Sequence, residues 1–264
     1  MKKVKYIILW SVIAIYLVIT VGFVVKKRAH LVCTGIEVRI VDSLKNAFVS
    51  DEIVKKLLQR KGYKLVGKNF DKICLDSIES VLNDYPPVEK SEVYKTSDGN
   101  VVIEIRQRNP ILRVIDNNNT SYYIDDKGYI MRFSGNYTSD VIVANGNILT
   151  KFPLGFKVNV IDLEENAQGR RIILAELYKL AKFITGDKFW NAQIQQIFVN
   201  QSGDFELVPR VGSNLIIFGD ISDCETKFSN LMSLYKNGFP ATGWNKYETI
   251  NLKYKGQVIC TKRE

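Results

Sequence analysis

Histidine is the commonest general base, and this chain of 264 residues contains one, His30. That single position removes every Ser/His/Asp and Cys/His arrangement from the residues that follow it. The four cysteines, Cys33, Cys74, Cys224 and Cys260, are far apart in sequence, form no CxxC pair and have no neighbouring histidine to complete a metal site. They read as small buried hydrophobes. An exported location would permit disulfides, and the sequence does not choose among three full pairings or none. Adjacent carboxylates such as Asp125 and Asp126, or Glu164 and Glu165, suit turns better than a pair set across a scissile bond. No glycine-rich phosphate loop, GxSxG elbow or HExxH occurs. The expectation is no catalytic residue, no metal and no cofactor.

The net charge of +9 invites a nucleic-acid reading until it is located. Six of the 37 Lys and Arg fall in positions 1–28, which hold no Asp or Glu; the rest of the chain carries 31 basic against 28 acidic residues. The excess therefore flanks one segment, and neither nucleic acid nor a small-molecule substrate is expected as a partner.

That segment runs from Tyr6 to Val25, twenty uncharged positions between Lys2, Lys3 and Lys5 on one side and Lys26, Lys27 and Arg28 on the other. As a helix at about 1.5 Å per residue it covers roughly 30 Å, the thickness of bilayer hydrocarbon. It is too long for the apolar core of a cleaved signal and runs into Val24 and Val25 without a small-residue cleavage site. His30, Leu31 and Val32 make no lipobox before Cys33. The expectation is a retained single-pass anchor, with residues 1–28 as tail and span. Three basic residues on each side leave orientation open on charge. The short tail favours Met1 in the cytoplasm and the bulk of the chain outside it. Asn-x-Ser/Thr triplets at Asn118, Asn119, Asn136 and Asn200 carry no information unless the host glycosylates them.

The elements that follow are readable from period and punctuation. Ile36, Val38 and Ile40 alternate with Glu37 and Arg39 as a strand. Ser50 opens a helix with Asp51 and Glu52 in its first turn, an apolar stripe of Ile53, Val54, Leu57 and Leu58, Arg60 and Lys61 near its end, and Gly62 as stop. Leu75, Ile78, Val81 and Leu82 mark a second helix that ends before Pro86 and Pro87. Val88–Lys95 and Val101–Arg108 are strands joined by the turn Ser97-Asp98-Gly99-Asn100. Further on come a helix from Ala167 to Thr185 and strands at about Ile194–Val199, Phe205–Val208 and Leu215–Phe218. A last helix, Cys224–Lys236, and a final strand, Gln257–Lys262, complete the chain.

The order β-α-α-β-β directly after a membrane span resembles a POTRA module. The stretch Gln107-Arg108-Asn109-Pro110-Ile111-Leu112-Arg113-Val114-Ile115, followed by Ser121-Tyr122-Tyr123-Ile124-Asp125-Asp126-Lys127-Gly128-Tyr129-Ile130-Met131, is similar to the junction in the FtsQ/DivIB cell-division family. There an x-x-x-P-x-A/L-x-x strand leaves the POTRA domain and enters a "YYID..G" hairpin that opens a β domain. Ile250-Asn251-Leu252-Lys253-Tyr254 resembles the family's "-D-L-R-Y" strand, with Asn251 and Lys253 in place of Asp and Arg.

The resemblance implies an α+β chain. A single N-terminal transmembrane helix is followed by a POTRA-like β-α-α-β-β domain over 33–109. A mostly antiparallel β domain with two helices then covers 110–264. It further implies a non-enzymatic divisome scaffold in the inner membrane at the septum, with partners of the FtsB and FtsL type captured by strand addition to the last strand. The partner-binding residues on that reading are Tyr254, Gln257, Val258, Ile259, Cys260 and Thr261, although Val258 and Cys260 are equally readable as core positions of a C-terminal strand. The other readings are an anchored envelope enzyme acting on cell-wall glycan, for which Asp140, Glu164 and Glu165 are the candidate carboxylates, and a POTRA protein of polypeptide export.

Overall fold

The computed structural model describes residues 10–22, 31–41, 46–132, 137–150, 158–165, 167 and 169–263. Residues 10–22 are helical (α1). The ends of the expected span, residues 6–9 and 23–25, lie outside the described residues, and among those described no helix is long and apolar enough to cross a membrane. The chain divides into two compact units, residues 1–107 and 108–264.

The first unit contains a three-stranded sheet of β1 (Gly35–Ile40), β2 (Val88–Lys95) and β3 (Asn100–Gln107) in the order β1-β3-β2. β3 is central, parallel to β1 and antiparallel to β2. Two helices, α2 (Asp51–Arg60) and α3 (Leu75–Asn83), fill the connection from β1 to β2. The Ser50 side chain accepts from the Ile53 amide at 3.3 Å, Lys55 pairs with Asp51 one turn away, and Gly62 takes the left-handed φ of 83° that ends α2. Val54 and Leu58 of α2 and Ile78 and Leu82 of α3 are buried, as are Val101, Ile103 and Ile105 of β3. Val102 is buried too, on the opposite face, where it stands between Glu37 of β1 and Tyr94 of β2 in register. Gln107 closes this unit: its Nε2 donates to the Asn46 carbonyl at 2.7 Å and its Oε1 accepts from the Val49 amide at 2.8 Å, both in the interior.

The second unit is built on nine strands in the order β12-β11-β10-β9-β8-β7-β4-β5-β6. They are β4 (Pro110–Ile115), β5 (Ser121–Asp125), β6 (Ile130–Arg132), β7 (Ile142–Gly146), β8 (Ile194–Val199), β9 (Phe205–Pro209), β10 (Leu215–Gly219), β11 (Tyr247–Asn251) and β12 (Ile259–Lys262). Five neighbouring pairs are antiparallel; β4/β7, β7/β8 and β10/β11 are parallel. The helices of this unit are α4 (Val160–Glu165), α5 (Ile173–Gly186), α6 (Lys188–Gln193), α7 (Cys224–Ser233) and α8 (Phe239–Thr242). One face of the sheet packs on them through Leu177, Leu180 and Ile184 of α5 and Phe228 and Leu231 of α7. Phe228 stacks on Phe183 at 4.8 Å and meets Trp190 at 5.0 Å and Phe218 at 5.2 Å. The opposite face presents half-buried positions such as Val143, Gln196, Val208, Leu215 and Thr249.

Several expectations change in detail. The helix expected from Ala167 begins at Ile173, because Gly169 turns the chain at φ 80° first. The last helix keeps regular geometry to Ser233 and continues as a π turn, Leu234–Gly238. Two helices become five, since α4, α6 and α8 are too short to show a period. β7 also went unread. Of Ile250–Tyr254, only Ile250 and Asn251 lie in a strand, and β12 starts at Ile259 instead of Gln257.

The entry to this unit is fixed by one buried carboxylate. Asp125 Oδ2 accepts from Arg108 Nη1 at 2.8 Å, and its Oδ1 accepts from the Tyr129 amide at 2.7 Å and the Lys127 amide at 3.0 Å. The Arg108 guanidinium also lies 4.5 Å from the centroid of the Tyr129 ring. Burial holds the Asp125 carboxyl above its ordinary pKa, with the Arg108 hydrogen bond acting in the opposite direction. Arg108→Met therefore strands a desolvated charge and costs about 3–5 kcal/mol. Adding Asp125→Asn removes that charge, keeps an acceptor for both amides, and recovers about 1–3 kcal/mol. Urea unfolding of the two variants checks both values.

Candidate functional site

The described residues contain no group of His, Cys, Asp and Glu able to hold a metal ion. Asp140 lines a cleft of about 430 Å³ with Asn145, Gln196 and Arg210, and neither Glu164 nor Glu165 reaches it. Glu164 is engaged instead by Lys179 Nζ at 2.6 Å. All four cysteines are free thiols. Burial raises Cys260 and pushes Cys224 up to about 11; Cys74 is exposed and lowered by the Ser77 hydroxyl, which donates to its sulfur at 3.1 Å.

The feature left is the carboxyl-terminal rim of the nine-stranded sheet. β11 lies parallel to β10, with Leu215 opposite Thr249 and Ile216 opposite Ile250. β12 runs antiparallel to β11, with Ile250 opposite Cys260 and Asn251 opposite Ile259. On its other side β12 has no strand among the described residues, so a row of backbone N–H and C=O groups faces outward. The far edge, β6, is shorter, and its Met131 is fully buried.

Several contacts hold this terminal hairpin. Asn214 Nδ2 donates to the Tyr247 carbonyl, the Arg263 amide to the Lys246 carbonyl at 3.0 Å, and Arg263 Nη2 to the Ser213 carbonyl at 2.8 Å. At the turn, Asn251 Oδ1 accepts from the Lys253 amide at 3.0 Å, and Lys253 Nζ meets Asp204 Oδ2 at 2.6 Å. Asp204 raises the Lys253 pKa through that hydrogen bond. Gly219, at φ 79°, lies under the lysine stem, where a Cβ would come to 2.8 Å of Lys253 Cγ.

The sequence-derived partner-binding residues fall into three positions. Val258 and Cys260 pack against the helix-side core. Ile259 and Thr261 point the other way, with Ile259 44% exposed. Tyr254 and Gln257 are exposed on the β11–β12 connection and belong to no strand. Asp204 reads from sequence only as a residue of the Ser202-Gly203-Asp204 turn and Asn214 not at all, because each acts on a segment more than thirty residues away.

Two domain families match the chain. Residues 31–106 match the POTRA-like domain, so the three-stranded unit is of the class of small modules that pack two helices on such a sheet. Residues 109–261, more than half of the chain, match FtsQ/DivIB, C-terminal related, and the chain belongs to that family. No curated protein matches it. The family is one of non-enzymatic components of the bacterial division machinery at the membrane of the division site.

The Lys253–Asp204 pair is exposed on the lysine side, so its contribution to global stability is about 0.2–1 kcal/mol. Its local effect is larger in kind. Asp204→Asn speeds amide exchange in residues 252–262 with little change in the midpoint of unfolding, as read by hydrogen–deuterium exchange beside a denaturant titration.

Proposed function

We propose that this chain is a non-enzymatic scaffold of the divisome that holds partners of the FtsB and FtsL type by accepting a strand on β12. Residues 6–25 anchor it in the inner membrane with Met1 in the cytoplasm, and a POTRA domain (33–109) and a β domain (110–264) act outside the cytoplasm at the septum. The observation that carries this reading is the side of β12 that no strand among the described residues pairs with, in a sheet whose inner strands are paired on both sides. Main-chain pairing on such an edge supplies affinity, and the alternating side chains supply selection. Family membership supports the divisome role, and twenty uncharged residues between basic flanks support the anchor.

Co-purification tests it. Full-length chain expressed with FtsB- and FtsL-type coiled-coil membrane proteins of the same cell retains both. Deletion of residues 257–264, or the single change Ile259→Lys, reduces recovery at least tenfold while Arg108–Asp125 and the rest of the unit stay folded by circular dichroism. Undiminished recovery with both variants refutes strand addition at this edge. Even distribution of a fluorescent fusion around the cell, without enrichment at the septum, removes the divisome assignment.

A further inference from the structure

The three-stranded sheet also ends in two rims, and β2 is one of them. Among the described residues no strand is longer than its eight residues, so its outer backbone is the longest template in the chain for an added strand. Ser91 and Val93 are buried, and their backbone N–H groups point away from β3. Both donors are already taken by α3. The Ser91 amide donates to Asn83 Oδ1 at 2.8 Å, and the Val93 amide donates to Glu79 Oε1 at 2.7 Å. Ser91 Oγ adds bonds to Asn83 Oδ1 at 3.0 Å and to the Glu79 carbonyl at 3.3 Å. Two residues further along the same rim, Lys95 Nζ donates to the carbonyls of Phe70 at 2.5 Å and Ile73 at 3.0 Å, and it lies 5.7 Å from the centroid of the Phe70 ring.

We propose that Glu79 and Asn83 form a plug that holds the β2 edge shut against strand addition. The fit is a match of periods. Residues i and i+4 of a helix share a face and lie about 6 Å apart along its axis, while alternate residues of a strand lie about 7 Å apart. Two acceptors one helical turn apart can therefore meet two successive outward N–H groups when the helix runs antiparallel to the strand. Here it does, because the earlier helical residue serves the later strand residue: Glu79 takes Val93 and Asn83 takes Ser91. A visiting strand would have to offer carbonyls to those same two N–H groups, each of which has one proton to give. It must first expel a carboxylate held by a charge-assisted bond and an amide that accepts from both the Ser91 N–H and its hydroxyl. Ile78 and Leu82, beside them on α3, are fully buried and keep the helix in place. The chain thus closes its longest rim with its own side chains, and that closure stands whether or not β12 accepts a strand.

The test uses the full-length chain in detergent and a synthetic Val-Thr-Val-Thr-Val peptide carrying one photoreactive benzophenone, with cross-links located by mass spectrometry. In the unaltered chain, residues 88–95 collect no more cross-link than with a Val-Pro-Val-Pro-Val control, which cannot pair. Glu79→Ala/Asn83→Ala raises the yield there about tenfold and speeds hydrogen exchange at the Ser91 and Val93 amides by a similar factor. Glu79→Gln, which keeps an acceptor, does neither. The amides of Lys90, Glu92 and Tyr94, which face β3, keep their protection in every variant and report that the unit is folded; where the double variant loses that protection, the single changes Glu79→Ala and Asn83→Ala are read in its place. Cross-linking of the unaltered chain at residues 88–95 above the control overturns the plug without recourse to any variant. So does a folded variant whose Ser91 and Val93 amides exchange freely while the peptide still avoids β2.

Discussion

A sheet that does not close on itself has two rims, and each backbone group on a rim must find water, a side chain or another chain. In the nine-stranded unit the two rims are treated differently. β6 is three residues long and has a fully buried Met131 at its centre, which offers little length for pairing. β12 is only one residue longer, but Arg263 extends its pairing with the β11 side through the Lys246 carbonyl, and exposed Ile259 and Thr261 leave its open face available. α5 and α7 press on the sheet from one side through Leu177, Ile184, Phe228 and Leu231, so Val258 and Cys260 have a core to settle against, while among the described residues no strand pairs with the outer side of β12.

Buried polar groups give the two units their definition at chosen points. In the first, Gln107 reaches the backbone at Asn46 and Val49, just ahead of α2. In the second, Asp125 serves a guanidinium and two amides at once, which ties the β5–β6 turn to the residue that enters the unit. A carboxylate placed this deep adds little net stability, since desolvation offsets most of the attraction. Its role is positional: it joins the Arg108 guanidinium and the amides of Lys127 and Tyr129 at one point.

Local chemistry made much of this architecture legible. Ser50 and Gly62 bound α2, the Ser97-Asp98-Gly99-Asn100 turn joins β2 to β3, and β8, β9 and β10 are β-branched and aromatic runs separated by turns at Gly203 and Gly212. The "YYID..G" spacing pointed to a hairpin, and the hydrogen bonds of Asp125 give the physical reason for its aspartate. What stayed hidden is long-range. β7 is five residues of mixed polarity whose neighbours on both sides are parallel and distant in sequence. α6 is a six-residue helix whose start is signalled only by Asp187, which caps Phe189 and Trp190. At the candidate site, Gln257–Lys262 read as one strand because Gly256 marks its start. Which faces those residues take depends on β11, and β11 is placed by its parallel contact with β10.

That parallel contact has a consequence for assembly in time. β10 and β11 are joined by a crossover of more than twenty residues that runs through α7, the π turn and α8, so the chain must order that whole excursion before the final hairpin gains a neighbour. Loop closure of this kind is slow compared with hairpin formation. The β11–β12 rim is therefore among the later parts of its sheet to order, together with the β7–β8 pair, whose crossover is longer still.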